Sequence, residues 1–417
     1  MLDPKFIREN SNLIRESLKN RNMDFDISNF LDLDEKRRVF IKEIDDLRSE
    51  HNRENKKIPE LKKRGENINV KLEELKKLSD KISSKEQDLK DREDKLKVLL
   101  LNIPNIPHQS VPVGPDASFN KIVREWGGDK KFDFKPLTHI ELAEHLDIID
   151  FSRAAKITGS NFILFKGFGA KLVRVLMNFM LDLHTQKHGY CEVWPPLLVN
   201  RDSMISTGQL PKLEEDMYKL NGEDYFLIPT AEVPLTNIHR DEILNEDDLP
   251  IYYTAYTPCF RKEAGSYGKD TKGLIRVHQF DKVEMVKFTT PESSWDEHEK
   301  LTQDAEEVLQ LLGLRYRVVA LSTGDLSFAA SKCYDLEAWT SGLERWLEVS
   351  SCSNFTDFQA RRANIKMRRK DGSLTYVHTL NGSGLAFARI IICLLEVYQQ
   401  KDGSISIPDV LRPYMEK

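Results

Sequence analysis

Apolar positions in the N-terminal quarter of the chain recur every seven residues: Ile68, Leu75, Ile82, Leu89, Leu96 and Ile103, with Leu78 and Leu99 between them. Such spacing lays one apolar stripe along a helix and predicts a coiled-coil seam. Upstream, Leu33, Phe40, Ile44, Leu47 and Ile58 form a second stripe interrupted by His51 and Glu54, and residues 59–65 offer a place for the chain to reverse. The expectation is an antiparallel two-helix hairpin whose helices of about 30 residues reach roughly 45 Å. Burying each seam Leu or Ile contributes on the order of 1.5–3 kcal/mol, enough for the pair to hold together unaided. Phe6, Ile7, Ile14 and Leu18 predict one amphipathic helix at its base, and the Pro-rich run 103–115 cannot continue a helix. The predicted division is a domain of residues 1–110 followed by one of residues 111–417.

Beyond that boundary the pattern changes. Helical periodicity over 170–188 and 295–312 is separated by β-rich runs at 191–193, 225–228, 251–261, 275–288, 316–320, 338–350 and 375–380. These runs mostly follow one another without a helix after each, which predicts an α+β domain with an antiparallel sheet.

Composition narrows the function. Lys+Arg 62 against Asp+Glu 67 gives a net charge of −5, so any attraction for nucleic acid must come from a local basic surface. Residues 32–97 carry 20 basic and 18 acidic residues, a density that no globular core tolerates and a balance that is nearly neutral. The five cysteines are odd in number, widely spaced and never in a C-x-x-C pair, which disfavours a disulfide framework and a Cys-rich zinc site. The start has no signal-peptide pattern and the longest apolar stretch, 390–397, is too short to span a bilayer, so a cytoplasmic protein without membrane association is expected.

Four stretches carry candidate chemistry. In residues 257–285, period-two alternation would put Arg276, His278, Phe280, Lys282 and Glu284 on one strand face, with Arg261 and Glu263 presented beside them from the partner strand. Charges inside a sheet are costly unless they neutralise one another or an ionic ligand completes the set; Phe280 adds a flat surface suited to a nucleobase. An exposed face with salt bridges is the plainer alternative. Residues 379–396 read as a Gly-rich turn entering an apolar helix whose only basic residue, Arg389, needs an anion: a structural carboxylate such as Glu396, or a phosphate. Glu232, among apolar and Pro neighbours, could equally be a helix cap after Thr230. The run 346–353 ends a predicted strand with Glu348 and hydroxyls, suited to a hard cation or to solvent.

Together these pieces resemble the class II aminoacyl-tRNA synthetases, and specifically the seryl-tRNA synthetase family of bacterial type. Residues 260–276 resemble its motif 2, residues 382–389 its motif 3, the helix 171–189 with the following Tyr190 to Pro196 run its motif 1, and the heptad hairpin its N-terminal arm. The resemblance implies an antiparallel-sheet class II catalytic domain that activates L-serine with ATP and transfers the seryl group to tRNA(Ser), with tRNA(Sec) as a further candidate substrate. It implies catalytic roles for Arg261 and Arg389, and a serine pocket of Thr230, Ala231, Glu232, Glu284 and Ser383, with Glu284 on the hydroxyl. ATP contacts are implied for Arg261, Lys262, Glu263, Val277, Phe280, Glu348, Val349, Ser350, Ser351 and Arg389. Glu348 and Ser351 would hold Mg2+, no zinc is implied, Lys269 and Lys272 would reach the tRNA acceptor end, and the protein would be a homodimer. Two rivals stand beside this reading. An aminoacylating enzyme for a carrier protein is disfavoured by the long hairpin, and a noncatalytic coiled-coil scaffold by the intact Arg261, Glu263, Glu284, Glu348 and Arg389.

Overall fold

The computed structural model describes residues 1–65, 67–264 and 272–416. The chain forms two compact units, one of Leu2–Lys19 and Met23–Pro104, the other of Met1, Asn20–Asn22 and Asn105–Lys417.

In the helical unit the two long helices are Ser28–Asn55 and Asn69–Leu101. Ion pairs Arg37 to Glu93 at 3.6 Å, Arg48 to Glu86 at 2.6 Å and Lys71 to Glu54 at 2.9 Å run in opposite sequence directions, so the helices are antiparallel. Every residue of the two apolar stripes named above is buried or half-buried, with Ile44, Leu75, Leu96 and Ile103 the most enclosed. The expected single helix before them is two, Pro4–Glu9 and Ser11–Asn20. The reversal is not a bare loop: a short helix, Ile58–Lys63, occupies it, because Pro59 sits in the first turn, where its missing N–H costs nothing. Asp34 is fully buried and is held by Arg8 at 2.8 Å, Arg37 at 3.1 Å and Arg38 at 3.3 Å. A carboxylate taken wholly out of water needs such partners.

The second unit is built on a large sheet. Among the described residues its strands are β1 (Lys121–Trp126), β2 (Cys191–Glu192), β3 (Ile251–Phe260), β4 (Gln279–Thr289), β5 (Tyr316–Ala320), β6 (Lys332–Thr340), β7 (Arg345–Asn354) and β8 (His378–Ala386). Their spatial order is β1-β5-β6-β7-β8-β4-β3-β2, antiparallel except for the edge pair β2 and β3. The expected α+β class with an antiparallel sheet is what the chain adopts.

Several details depart from the sequence pattern. The expected strand 275–288 begins only at Gln279, so Arg276 and His278 lie before β4, and the run 375–380 is split between Leu374–Tyr376 and β8. The run 338–350 is not one strand but the two arms of the β6–β7 hairpin, since Thr340 pairs with Arg345. Residues 225–228 do not enter the large sheet; Tyr225–Leu227 pairs with Leu198–Asn200 in a separate ribbon. The Gly382-Ser-Gly384 segment is not a turn, because it lies within β8. Its glycines serve close packing: a Cβ on Gly382 would stand 3.0 Å from Leu301, and one on Gly384 would stand 2.5 Å from the His184 ring. Composition alone cannot separate a flexible turn from a strand pressed against its neighbours.

The helices Phe168–Gln186, Ser294–Leu311 and Phe387–Tyr398 contribute to the main apolar core, into which Val283 and Met285 of β4 also point. The alternate residues of that strand face the other way, and there the site lies.

Candidate active site

A cavity of about 570 Å³ opens over the middle of the sheet. Phe280 and Lys282 of β4, Glu348 to Ser351 of β7 and Asn381 and Ser383 of β8 contribute to its wall. Thr230, Glu232, Arg261, Glu263, Arg276 and Arg389 add charged and polar groups to the lining, and Val277 lies among them. Thus twelve of the fifteen expected site residues share one wall, while Ala231, Lys262 and Glu284 do not. Ala231 is fully buried and packs in a neighbouring apolar cluster, Lys262 is exposed, and Glu284 lies fully buried behind Lys282. Lys272 is exposed, and Lys269 lies outside the described residues.

Arg261 follows the end of β3 and is fixed from three directions. Its backbone N–H donates to the His278 carbonyl at 2.9 Å, its Nε donates to the Pro229 carbonyl at 3.2 Å, and its guanidinium lies 5.2 Å from the centroid of the Phe280 ring. Beyond it, Lys262 N–H and Ala264 N–H donate to Asp216 at 2.8 Å each, to the carbonyl and to Oδ1 respectively. These anchors hold Glu263 at φ +52°, a left-handed conformation that a non-glycine residue adopts only when its surroundings enforce it. Glu263 Oε2 accepts from Arg276 Nη1 at 3.0 Å.

Arg389, near the start of the helix Phe387–Tyr398, donates through Nη1 to the Glu348 carbonyl at 2.7 Å and approaches Glu348 Oε2 at 3.2 Å. Its anion is therefore not Glu396. That carboxylate, fully buried in the same helix, accepts from His139 N–H at 2.9 Å and from the Gly342 and Leu343 N–H groups at 2.9 and 3.0 Å. Glu348 sits beside a bulge in β7 rather than at a strand end, and the shift of register there brings it and Ser351 to the same cavity.

A second polar group occupies the other side. Lys282 Nζ donates to Thr230 Oγ1 at 2.7 Å and pairs with Glu284, whose Oε1 accepts from Asn381 Nδ2 at 3.1 Å. Ser350 Oγ donates to the Ser383 carbonyl at 2.7 Å, joining the two halves of the floor. Lys282 had a signal in the period-two row of β4; Asn381 had none beyond its place before the glycines.

Burial, aided by the nearby Glu284 carboxylate, raises the Glu232 carboxyl to about 7, against the opposing pull of Gln359, Lys282 and Arg261. The raised acid favours the folded state fully at pH values below its ordinary range, and that advantage is lost as pH rises through about 7. Between about pH 4.5 and about pH 7 the wild type should lose about 3 kcal/mol relative to a Glu232→Gln variant, at 1.36 kcal/mol per pH unit. Urea unfolding of both proteins across that range checks it; parallel stability curves would contradict it.

Residues 213–398 match the family described as tRNA synthetase class II core domain (G, H, P, S and T), and residues 1–107 match the seryl-tRNA synthetase N-terminal domain. The serine–tRNA ligase of Thermodesulfovibrio yellowstonii is 57% identical over 419 aligned positions, covering 100% of this chain and 99% of the relative. Seryl-tRNA synthetase from Pyrococcus horikoshii complexed with ATP superposes with a TM-score of 0.93 at 40% identity, covering 100% of this chain and 98% of that one. The cytoplasmic serine–tRNA ligase of Naegleria fowleri in complex with AMP gives 0.88 at 32% identity, covering 100% and 97%. With a class II core, a matching N-terminal domain and full-length identity above one half, the chain belongs to the seryl-tRNA synthetase family of ATP-dependent aminoacyl-tRNA ligases.

Proposed function

We propose that the cavity binds ATP along its Arg261–Phe280–Arg389 side and L-serine along its Thr230–Glu232–Lys282 side. A serine carboxylate oxygen attacks the α-phosphorus, the bond to the β-phosphate oxygen breaks and pyrophosphate leaves; a hydroxyl of the terminal tRNA adenosine then takes the seryl group and AMP departs. The observation that carries this reading is the convergence of both polar groups on one cavity of about 570 Å³.

Arg261 neutralises the α-phosphate and the serine carboxylate together, which reduces their mutual repulsion as the new bond forms. Glu263 accepts from the adenine amino group while Phe280 stacks on the ring, and Arg389 approaches the γ-phosphate. Glu348 and Ser351 supply hard oxygen donors of the kind Mg2+ takes alongside substrate phosphates, and the Glu348 carboxylate, 3.2 Å from Arg389, sits where positive charge is already drawn. When bound there, Mg2+ would supply charge neutralisation of the phosphate oxygens. Lys282, Thr230 and Glu232 surround the amino acid, with Glu284 fixing Lys282 from behind. Exposed Trp194 (74%), Leu197 and Leu198, close in sequence to edge strand β2, support pairing of two copies, and five free thiols suit the reducing cytoplasm.

ATP–pyrophosphate exchange with each amino acid, followed by charging of bulk tRNA, tests the reading. Exchange with serine and charging of tRNA support it, exchange without charging favours a carrier-protein enzyme, and neither favours a noncatalytic scaffold. We assign residues 1–110 to tRNA binding. Removing residues 32–97 and joining the ends with a short linker should leave exchange within about twofold and reduce charging about 100-fold or more, as loss of several phosphate contacts implies. Equal loss of both activities would instead indicate a folding role for the arm.

A further inference from the structure

Gln359 stands on the short helix Phe358–Ala363 behind the cavity wall and is completely buried. Its carboxamide uses both ends. Nε2 donates to the Thr207 carbonyl at 3.1 Å and to Glu232 Oε1 at 2.6 Å, and Oε1 accepts from Thr379 Oγ1 at 2.7 Å. Flipping the amide would set its oxygen against a carbonyl and a carboxyl oxygen at once, so the contacts define one orientation. Thr379 is itself fully buried in β8, and Thr207 contributes to the cavity wall at the end of the helix Arg201–Thr207. One side chain therefore ties the sheet, the cavity rim and Glu232 together.

We infer that Gln359 is a positioning residue for amino acid recognition: it holds the Glu232 carboxyl in the orientation that meets the substrate. This rests on the serine-pocket role proposed for Glu232. The charged groups facing that carboxyl are Glu284, Lys282 and Arg261. Of these, Glu284 opposes its ionisation, whereas Lys282 and Arg261 favour it together with the Gln359 amide. Removing the amide donor should both loosen the carboxyl and raise the pH at which it ionises.

The test is serine-dependent ATP–pyrophosphate exchange in the full chain from about pH 6 to about pH 9, comparing wild type, Gln359→Met, Gln359→Glu, Glu232→Gln and the Gln359→Met/Glu232→Gln double variant. Gln359→Met should raise the serine KM about 10- to 100-fold, the worth of a hydrogen bond to a charged group, and leave the ATP KM within about twofold. Its serine KM should reach its plateau at higher pH than in wild type. In the Glu232→Gln background the same change should add less than about threefold, because the partner is already altered. Gln359→Glu keeps the shape and should bind serine poorly at high pH and recover as pH falls, when the protonated carboxyl can donate again. If Gln359→Met does not fold, this recovery decides the matter, and a flat pH profile in Gln359→Glu overturns the inference. A serine KM that is raised in Glu232→Gln but normal in Gln359→Met overturns the inference alone; so does an equal rise of both KM values without a pH shift. A normal serine KM in Glu232→Gln overturns the pocket reading and this inference with it.

Discussion

Replacing Arg261 with alanine is expected to lower kcat for serine-dependent ATP–pyrophosphate exchange by about 10²- to 10³-fold, the range seen when a preorganised donor to developing negative charge is removed. The reason is geometric. This guanidinium is held by the Pro229 carbonyl and by the face of Phe280, and its backbone is pinned to His278, so it need not reorganise when charge develops. Arg261→Lys should restore little, because an ammonium offers neither the planar fork nor the same stacking on the ring. Single-turnover adenylate formation separates chemistry from product release. Exchange within about threefold of wild type in Arg261→Ala would remove the residue from the reaction.

The second large effect is expected at Glu284, although that residue is not on the cavity wall. Glu284→Ala leaves Lys282, itself 5% exposed, without its carboxylate, and uncouples Asn381 from the serine side. Breaking a buried pair by removing one partner costs about 3–5 kcal/mol, so the thermal midpoint should fall as well. The serine kcat/KM should drop by about 10³-fold, since Lys282 and Asn381 lose the carboxylate that positions them on the serine side and about 4 kcal/mol corresponds to about 10³. Glu284→Gln keeps the volume and an acceptor for Asn381, so a midpoint closer to wild type with serine activation still severely reduced would separate recognition from folding. Equal serine-dependent exchange in wild type and Glu284→Ala would withdraw the assignment.

Glu284 also illustrates why part of the site was legible before the fold was known. Period-two alternation put Phe280, Lys282 and Glu284 on one face, and they do share one, opposite Val283 and Met285. Alternation says nothing of depth, however, and Lys282 rather than Glu284 borders the cavity. Arg389 is a similar case. A lone guanidinium near the start of an apolar helix called for an anion, yet the in-register candidate Glu396 is consumed by His139 and two backbone N–H groups, and Glu348 comes from a strand 41 residues earlier. The Gly-Ser-Gly run misled for the opposite reason: its glycines answer to His184 and Leu301, which lie in other elements.

Residue order alone specified the helical arm, the antiparallel α+β class and the charged motifs, because each rests on periodicity or spacing within a short stretch of chain. The heptads need only their own neighbours to make a seam. Which carboxylate meets which cation, where a glycine is compulsory, and that Gln359 reaches Glu232 across 127 residues were decided by tertiary packing. Those contacts join elements whose separation in the chain carries no periodic signal, and burial turns each into a requirement, since a polar group removed from water must find its partner wherever the fold places one.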